Sequence, residues 1–348
     1  MSAVPIIAFF NNKGGVGKTS LVYHLAWMYH DLGLRVVAVD LDPQANLTAA
    51  FLSEERLEEI WLLDKQPNTI YRCVQPLLRG VGDIVTPQLE DIKPRLALLI
   101  GDLLLSGFEG HLSTEWPGCM DRKERSFRVI SAFWRILQRV IKIHVANVIL
   151  IDLGPNLGAI NRAALITADY VLTPLAPDLF SLQGLRNLGP TLFRWREEWQ
   201  ERQTKNPVVD LSLPPGTMRP VGYIVLQHLQ HVIRPDRPVK AYQRWIVQIP
   251  GIYRQAMLNL AANNEIASIE EDPYCLALVK HYKSLMPLAQ AVHKPIFHLK
   301  PADGIVGGTT QSVQNAYQDF ERLARRIVRN CKLAKQSETA LLHSSAKN

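Results

Sequence analysis

Asn11-Asn12-Lys13-Gly14-Gly15-Val16-Gly17-Lys18-Thr19-Ser20 is the stretch on which the reading of this chain turns. Before it runs Pro5-Ile6-Ile7-Ala8-Phe9-Phe10, a short apolar segment of the kind that forms a buried parallel strand. After it, Leu21, Leu25, Met28 and Leu32 recur at helical spacing until Gly33, a suitable C-terminal stop. Glycines between a strand and a helix let backbone N–H groups converge on an anion. The helix N-terminus adds its unpaired donors and its dipole. In such a loop Lys18 reaches the β- and γ-phosphates of a nucleotide, and the Thr19 hydroxyl is a magnesium ligand. Gly14, Gly15, Val16, Gly17 and Ser20 supply the remaining backbone and hydroxyl contacts. The general pattern wants a glycine where Asn12 stands, so its first position is broken.

Leu34 to Asp40 reads as a second strand, and strand, loop, helix, strand is a βαβ unit. Further strands are expected at 96–100, 147–152, 170–174 and 221–226, with helices at about 125–143, 182–203 and 311–332. The expected fold class is therefore α/β, a doubly wound, mostly parallel sheet flanked by helices. Residues 204–220, rich in proline, read as a connecting loop within the same sheet. We take residues 1–333 as a single P-loop domain and 334–348 as a polar, flexible C-terminal tail.

Composition narrows the function classes. With 348 residues, 47% hydrophobic and 20% charged, the chain is able to bury a sizeable core. It contains no apolar run of about 18 residues and no signal-peptide pattern at its start. Cys73, Cys119, Cys275 and Cys331 are scattered without metal-ligand spacing, which fits a reducing, cytoplasmic setting. The formal charge of +7 is compatible with polyanion binding without being diagnostic of it.

Lys13-Gly14-Gly15-Val16-Gly17-Lys18-Thr19, with its second lysine at the start, resembles the deviant Walker A loop of the ParA/MinD group of P-loop ATPases. Val39-Asp40-Leu41-Asp42-Pro43 and Val148-Ile149-Leu150-Ile151-Asp152 are similar to the second and third motifs of that group, in the same order. Segments 98–106, 168–185 and 316–329 extend the likeness, closer to ParA than to MinD, over about residues 4 to 330. The resemblance implies a partner-stimulated ATPase that binds ATP/ADP with Mg2+ and dimerises when ATP-bound. It implies that Lys13 reaches across the dimer to the partner's phosphates, that Asp42 positions the attacking water, and that Asp152 holds magnesium through water. Lys13, Lys18 and Asp42 are then the catalytic set. Gln227 and Ile249-Pro250 occupy positions similar to base-contacting segments. Gly154-Pro155 stands where many partition ATPases carry two prolines.

The same resemblance implies sequence-independent DNA and a ParB-like activator as partners, with a nucleoid-associated location. Two basic stripes offer themselves as phosphate contacts or as solvated helix faces. One is Arg128, Arg135, Arg139 and Lys142; the other is Arg322, Arg325, Arg326, Arg329 and Lys332. A MinD-like membrane role would need an amphipathic anchor, and 338–348 offers only Leu341-Leu342. A nucleotide-sensing module with little hydrolysis is the other alternative. Iron–sulfur carriers of this fold would need cysteines near the second or third motif, which are absent from it.

Overall fold

The computed structural model describes residues 4–63, 68–228, 240–261, 268–280, 282, 285–307 and 309–331. The expected tail, 334–348, lies outside the described residues. The strands are β1 (Ile6–Phe9), β2 (Val36–Asp40), β3 (Glu90–Lys93), β4 (Leu96–Leu99), β5 (Val148–Asp152), β6 (Tyr170–Leu175), β7 (Arg219–His228) and β8 (Cys275–Lys280). In the first half of the chain the helices are α1 (Lys18–Asp31), α2 (Asn46–Phe51), α3 (Glu54–Glu58), α4 (Ile70–Arg79), α5 (Phe108–Gly118), α6 (Glu124–Ile130), α7 (Ala132–His144) and α8 (Ala159–Thr167). The second half adds α9 (Leu179–Gln203), α10 (Lys240–Ile246), α11 (Ile249–Leu258), α12 (Leu285–Ala291) and α13 (Thr309–Asn330).

The strands form one eight-stranded sheet in the order β3-β4-β2-β5-β1-β6-β7-β8. All neighbours are parallel except β3 and β4, which pair antiparallel at one edge. Alternation along each buried strand feeds two cores: Ile6 and Ala8 face one layer, Ile7 and Phe9 the other. The first layer holds α4 to α9 and α11; the second holds α1, α2, α12 and α13. The order in which strands are added reverses around β1, because β1 connects through α1 to β2 on one side while β5 connects through α8 to β6 on the other. The carboxyl ends of β1 and β5 therefore flank a switch point, the crevice where open α/β sheets gather ligands.

Three departures from the sequence reading have local causes. The helix expected over 125–143 is two helices, α6 and α7, meeting at Ser131. The Ser131 hydroxyl donates to the Phe127 carbonyl at 2.6 Å and accepts from Arg135 Nε at 3.1 Å, which supports the break. The stripe on these helices is not a free basic face. Arg128 and Arg135 both grip Asp83, at 2.8 and 2.7 Å, and Arg139 donates to the Ile84 carbonyl and the Thr86 hydroxyl. Strands β3 and β8 escape the sequence reading altogether: Glu90-Asp91-Ile92-Lys93 is too polar to suggest a strand, and it survives as an edge.

Candidate functional site

The glycine loop connects β1 to α1 at the switch point. Gly17 caps α1 with φ 80°, and Gly15 has φ 71°, left-handed values that a side chain would strain. A Cβ on Gly17 would also lie 2.8 Å from Leu226 Cδ1, so the end of β7 presses directly on the loop. The Asn11 amide donates to the Pro174 carbonyl at 2.7 Å, and its side-chain oxygen accepts from the Lys13 N–H at 3.0 Å. Asn12, at the position where the general motif has glycine, faces Gly184 of α9: a Cβ there would come within 2.8 Å of its Oδ1. The broken first position is thus a packing contact with α9.

Lys18 is buried, and its ammonium folds onto the Lys13 carbonyl at 3.3 Å. Burial lowers its pKa, while Asp152 and Asp42 pull the other way. Asp152 ends β5 fully buried; neither carboxylate oxygen makes a hydrogen bond of good geometry, although the Thr19 hydroxyl lies close enough to act on it. Burial pushes its pKa far up, reinforced by Asp40 and Asp42, with Thr19 and Lys18 opposing. Its register partner, Asp40 of β2, is equally buried but fully engaged. It accepts from the Thr48 N–H and hydroxyl at 2.8 Å each, and from the Asp42 N–H at 3.2 Å. Burial still lifts it to about 7. Thr48 in turn accepts from the Gly101 N–H at 2.8 Å, tying β2, α2 and the end of β4 together.

Asp42 follows β2, accepts from the Gln44 N–H at 3.0 Å, and lies where a Cβ on Gly154 would meet its Oδ1 at 3.1 Å. That proximity gives the Gly154-Pro155 departure a local consequence, since a side chain at 154 would crowd Asp42. Lys13 is ion-paired with Asp178, the N-cap of α9, and sits 5.7 Å from the Phe180 ring. Burial would raise the Asp178 pKa, but Lys13 and the Ser181 N–H outweigh it and hold the carboxyl low.

Beside the loop opens a cavity of about 590 Å³. Its walls are Gly15, Gly17 to Ser20, Tyr23 and His24 of α1, Asn46, Ala49 and Ala50 of α2, Met286, Ala289 and Gln290 of α12, and Lys294. His24 is neutral at ordinary pH, because burial pushes it down to about 4. Its Nε2 accepts from the Ile296 N–H at 3.2 Å. Pro250 is not on this wall; it is buried in the first turn of α11, which packs on α9. Gln227 is the penultimate residue of β7, directly after the Leu226 that touches Gly17.

Sequence reasoning missed Asp178 and the α12 wall. The first had a signal, since Asp178-Leu179-Phe180-Ser181 is an N-cap pattern at the mouth of a helix. On α13, Arg322 pairs with Asp319, Arg325 with Glu321 at 2.8 Å, and Arg326 donates to the Asp272 carbonyl at 3.3 Å. Arg329 is exposed in the last turn.

The residues fit a magnesium-bound nucleotide on one observation above all: a buried carboxylate without a well-formed hydrogen bond, acted on by a hydroxyl and a lysine beneath a loop of convergent amides. Among the described residues no cluster of three or more His, Cys, Asp or Glu side chains forms a self-sufficient metal cage. Magnesium does not need one, since it keeps several waters and takes phosphate oxygens alongside one or two protein ligands.

The profile of an AAA domain family, AAA_31, matches residues 4–205. Protein IncC of Escherichia coli is 32% identical over 189 residues, which cover 54% of this chain and 45% of IncC. Chromosome partitioning protein ParA of Caulobacter vibrioides is 30% identical over 198 residues, covering 56% of this chain and 66% of ParA. The chain thus spans about half to two thirds of the length of these curated relatives. An ATP complex of McdA from Cyanothece superposes with TM-score 0.60 over 96% of this chain and 99% of that one, a likeness of fold at 14% identity.

Proposed function

The chain belongs to the AAA_31 family of AAA domains, with ParA-type partition proteins among its relatives, and from that premise we propose that it is an ATP-driven dimerising switch that partitions or positions a cargo. The observation that carries the proposal is the fully buried Asp152 carboxylate, without a well-formed hydrogen bond, beside Lys18 and Thr19. In the proposed site the amides of residues 14–19 and the Lys18 ammonium bind the β- and γ-phosphates of ATP. Ser20 adds a phosphate contact. Thr19 and Asp152 would hold Mg2+, Asp152 through water. Bound Mg2+ supplies charge neutralisation on the phosphates as ATP is hydrolysed to ADP and phosphate. Asp42 orients the attacking water. Lys13 acts in the site of a second subunit, where its charge offsets that developing on the phosphoryl oxygens.

Support for dimerisation comes from the rim of the same crevice. Leu103 and Leu104 after β4, Leu157 after β5, and Leu179 and Phe180 after β6 are all exposed, Phe180 at 73%. Apolar side chains on each of these loops frame a face that a second copy would cover. The ion pair with Asp178 keeps Lys13 on its own chain, which favours a low basal rate that rises when the dimer forms. The wall of Met286, Ala289 and Gln290 suits the nucleoside, with Gln227 at the β7 end as a further contact; Pro250 stands apart from that wall. We take residues 1–333 as one unit, a reading supported by the sheet that strands from residue 6 to residue 280 share. Sequence-independent DNA and a ParB-like activator are the proposed partners, in the cytoplasm. No helix among the described residues is long and apolar enough to cross a membrane.

Asp42→Ala tests the assignment: it is expected to bind ATP normally, hydrolyse it slowly and accumulate as a dimer. Unchanged turnover in a phosphate-release assay removes Asp42 from the mechanism. A nucleotide-sensing module would instead show ATP binding with no turnover in the parent, with or without DNA.

A further inference from the structure

The loop that follows β5 lies in the crevice between the phosphate loop and Asp42. A Cβ on Gly14 would meet Pro155 Cγ at 3.8 Å, and a Cβ on Gly154 would meet Asp42 Oδ1 at 3.1 Å. Pro155, Asn156 and Leu157 are exposed, yet the loop is held firmly from within. Glu109 accepts from the Ala159 and Ile160 N–H groups at 2.5 and 2.8 Å and so caps α8. Asn161 of α8, buried, donates its amide to the Gly154 carbonyl at 2.9 Å and to the Asn156 carbonyl at 2.7 Å.

The two ends of the Asn156 side chain have different fates. Oδ1 accepts from the Gly158 N–H at 2.9 Å and from Asn161 Nδ2 at 3.0 Å. A backbone N–H can only donate, so the oxygen must face Gly158 and the NH2 group must face away. Among the described residues Nδ2 has no acceptor. The Cβ on Gly154 that would meet Asp42 would also lie 3.8 Å from Asn156 Nδ2. A fixed donor and a carboxylate thus flank one small space. The turn at 156–158 needs only an acceptor at its first residue, which aspartate or serine supplies equally well. The NH2 group is therefore surplus to the fold. An atom that accepts from an amide and donates to a carboxylate must be an oxygen carrying hydrogen. Ionised phosphate oxygens cannot donate; water can.

We propose that Asn156 Nδ2 holds the water that attacks ATP, opposite Asp42, an assignment that rests on the nucleotide reading of the crevice and adds a second residue to its hydrolytic step. The amide donates to one lone pair of the water, and one water O–H donates to Asp42. The second lone pair is left to attack the γ-phosphorus. That oxygen forms the new P–O bond, the bond to the β,γ-bridging oxygen breaks, and ADP departs with the electron pair. The proton directed at Asp42 is taken up by that carboxylate and released to solvent. Without the amide the water turns about its bond to Asp42, and fewer of its orientations are productive.

Phosphate-release kinetics of the full chain at saturating ATP and Mg2+ test this with two replacements that keep the turn. Asn156→Asp retains Oδ1 and the size of the side chain but loses the donor. Asn156→Ser retains a turn acceptor and adds no charge. Each is expected to lower kcat by about tenfold or more. In Asn156→Ser, KM and ADP affinity should stay within about twofold of the parent, because neither needs the attacking water. Thermal midpoints should match the parent, since the residue is exposed. If both residues hold one water, Asp42→Ala/Asn156→Ser should turn over within about twofold of Asp42→Ala alone. Parental kcat in both variants, or losses that multiply in the double variant, overturns the assignment. So does a raised KM with kcat kept in Asn156→Ser, the mark of a phosphate contact. In each of those cases slow turnover by Asp42→Ala leaves the nucleotide reading standing, whereas no turnover by the parent removes both.

Discussion

Asp40 and Asp152 end adjacent strands, stand opposite each other in the register, and are both wholly buried, yet their surroundings differ completely. Asp40 receives three hydrogen bonds and fastens β2 to α2 and, through Thr48, to the end of β4. Asp152 receives none of comparable geometry, with the Thr19 hydroxyl and Lys18 ammonium acting on it from nearby. Two carboxylates with the same burial therefore differ in how they are held. One is a structural knot completed by its own chain, and the other has only partial compensation from Thr19 and Lys18, which leaves it open to the proposed nucleotide site.

The largest test of that contrast is Lys18→Ala, which removes the cation facing Asp152 and leaves Asp40 untouched. We expect ATP affinity to fall by about 100-fold or more in calorimetry with Mg2+; retained affinity would mean that Asp152 does not border a phosphate site. Next come paired substitutions with opposite signs. Asp40→Ala should lower the unfolding free energy by about 2–3 kcal/mol, as buried donors lose their acceptor. Asp152→Asn should raise it by about 1–2 kcal/mol without nucleotide, because a carboxyl whose ionised form burial disfavours is removed. Urea unfolding of both variants reads this, and a loss in both would dissolve the distinction. The pH profile sharpens it further. Both carboxyls are raised in the folded chain, Asp40 to about 7, so between about pH 4 and 7 the folded state holds more protons than the unfolded one. Stability should decline as pH rises through that window, and the decline should be shallower in Asp152→Asn. The smallest effect belongs to Asp178→Asn, which frees Lys13. A half-exposed pair of this kind is worth about 1 kcal/mol at most, so basal ATP turnover should rise by no more than about fivefold.

Much of this site was legible in the sequence because its chemistry is local. The loop, the start of α1 and the carboxyl ends of β2 and β5 each announce themselves within a few residues, through glycine, helical spacing or an apolar run closing on aspartate. What escaped is long-range. Asp83 collects Arg128 and Arg135 from more than forty residues away, so a periodic basic stripe looked solvated when it was a clamp. Strand β3 is polar because it is an edge, and α12 reaches the cavity only through folding. Asp178 was visible as a cap, but its pairing with Lys13 across 165 residues was not.

Helix α9 gives that last contact a reach beyond the crevice. It is 25 residues long, about 37 Å at 1.5 Å per residue, with Asp178 at its head and Pro190 near its middle. Its far end carries Trp199, stacked on Trp116, and Arg202, which donates to the Trp116 carbonyl at 3.0 Å. One continuous helix, packed on α11 beside its proline, thus joins the crevice where Lys13 is held to the opposite flank, where α5 sits.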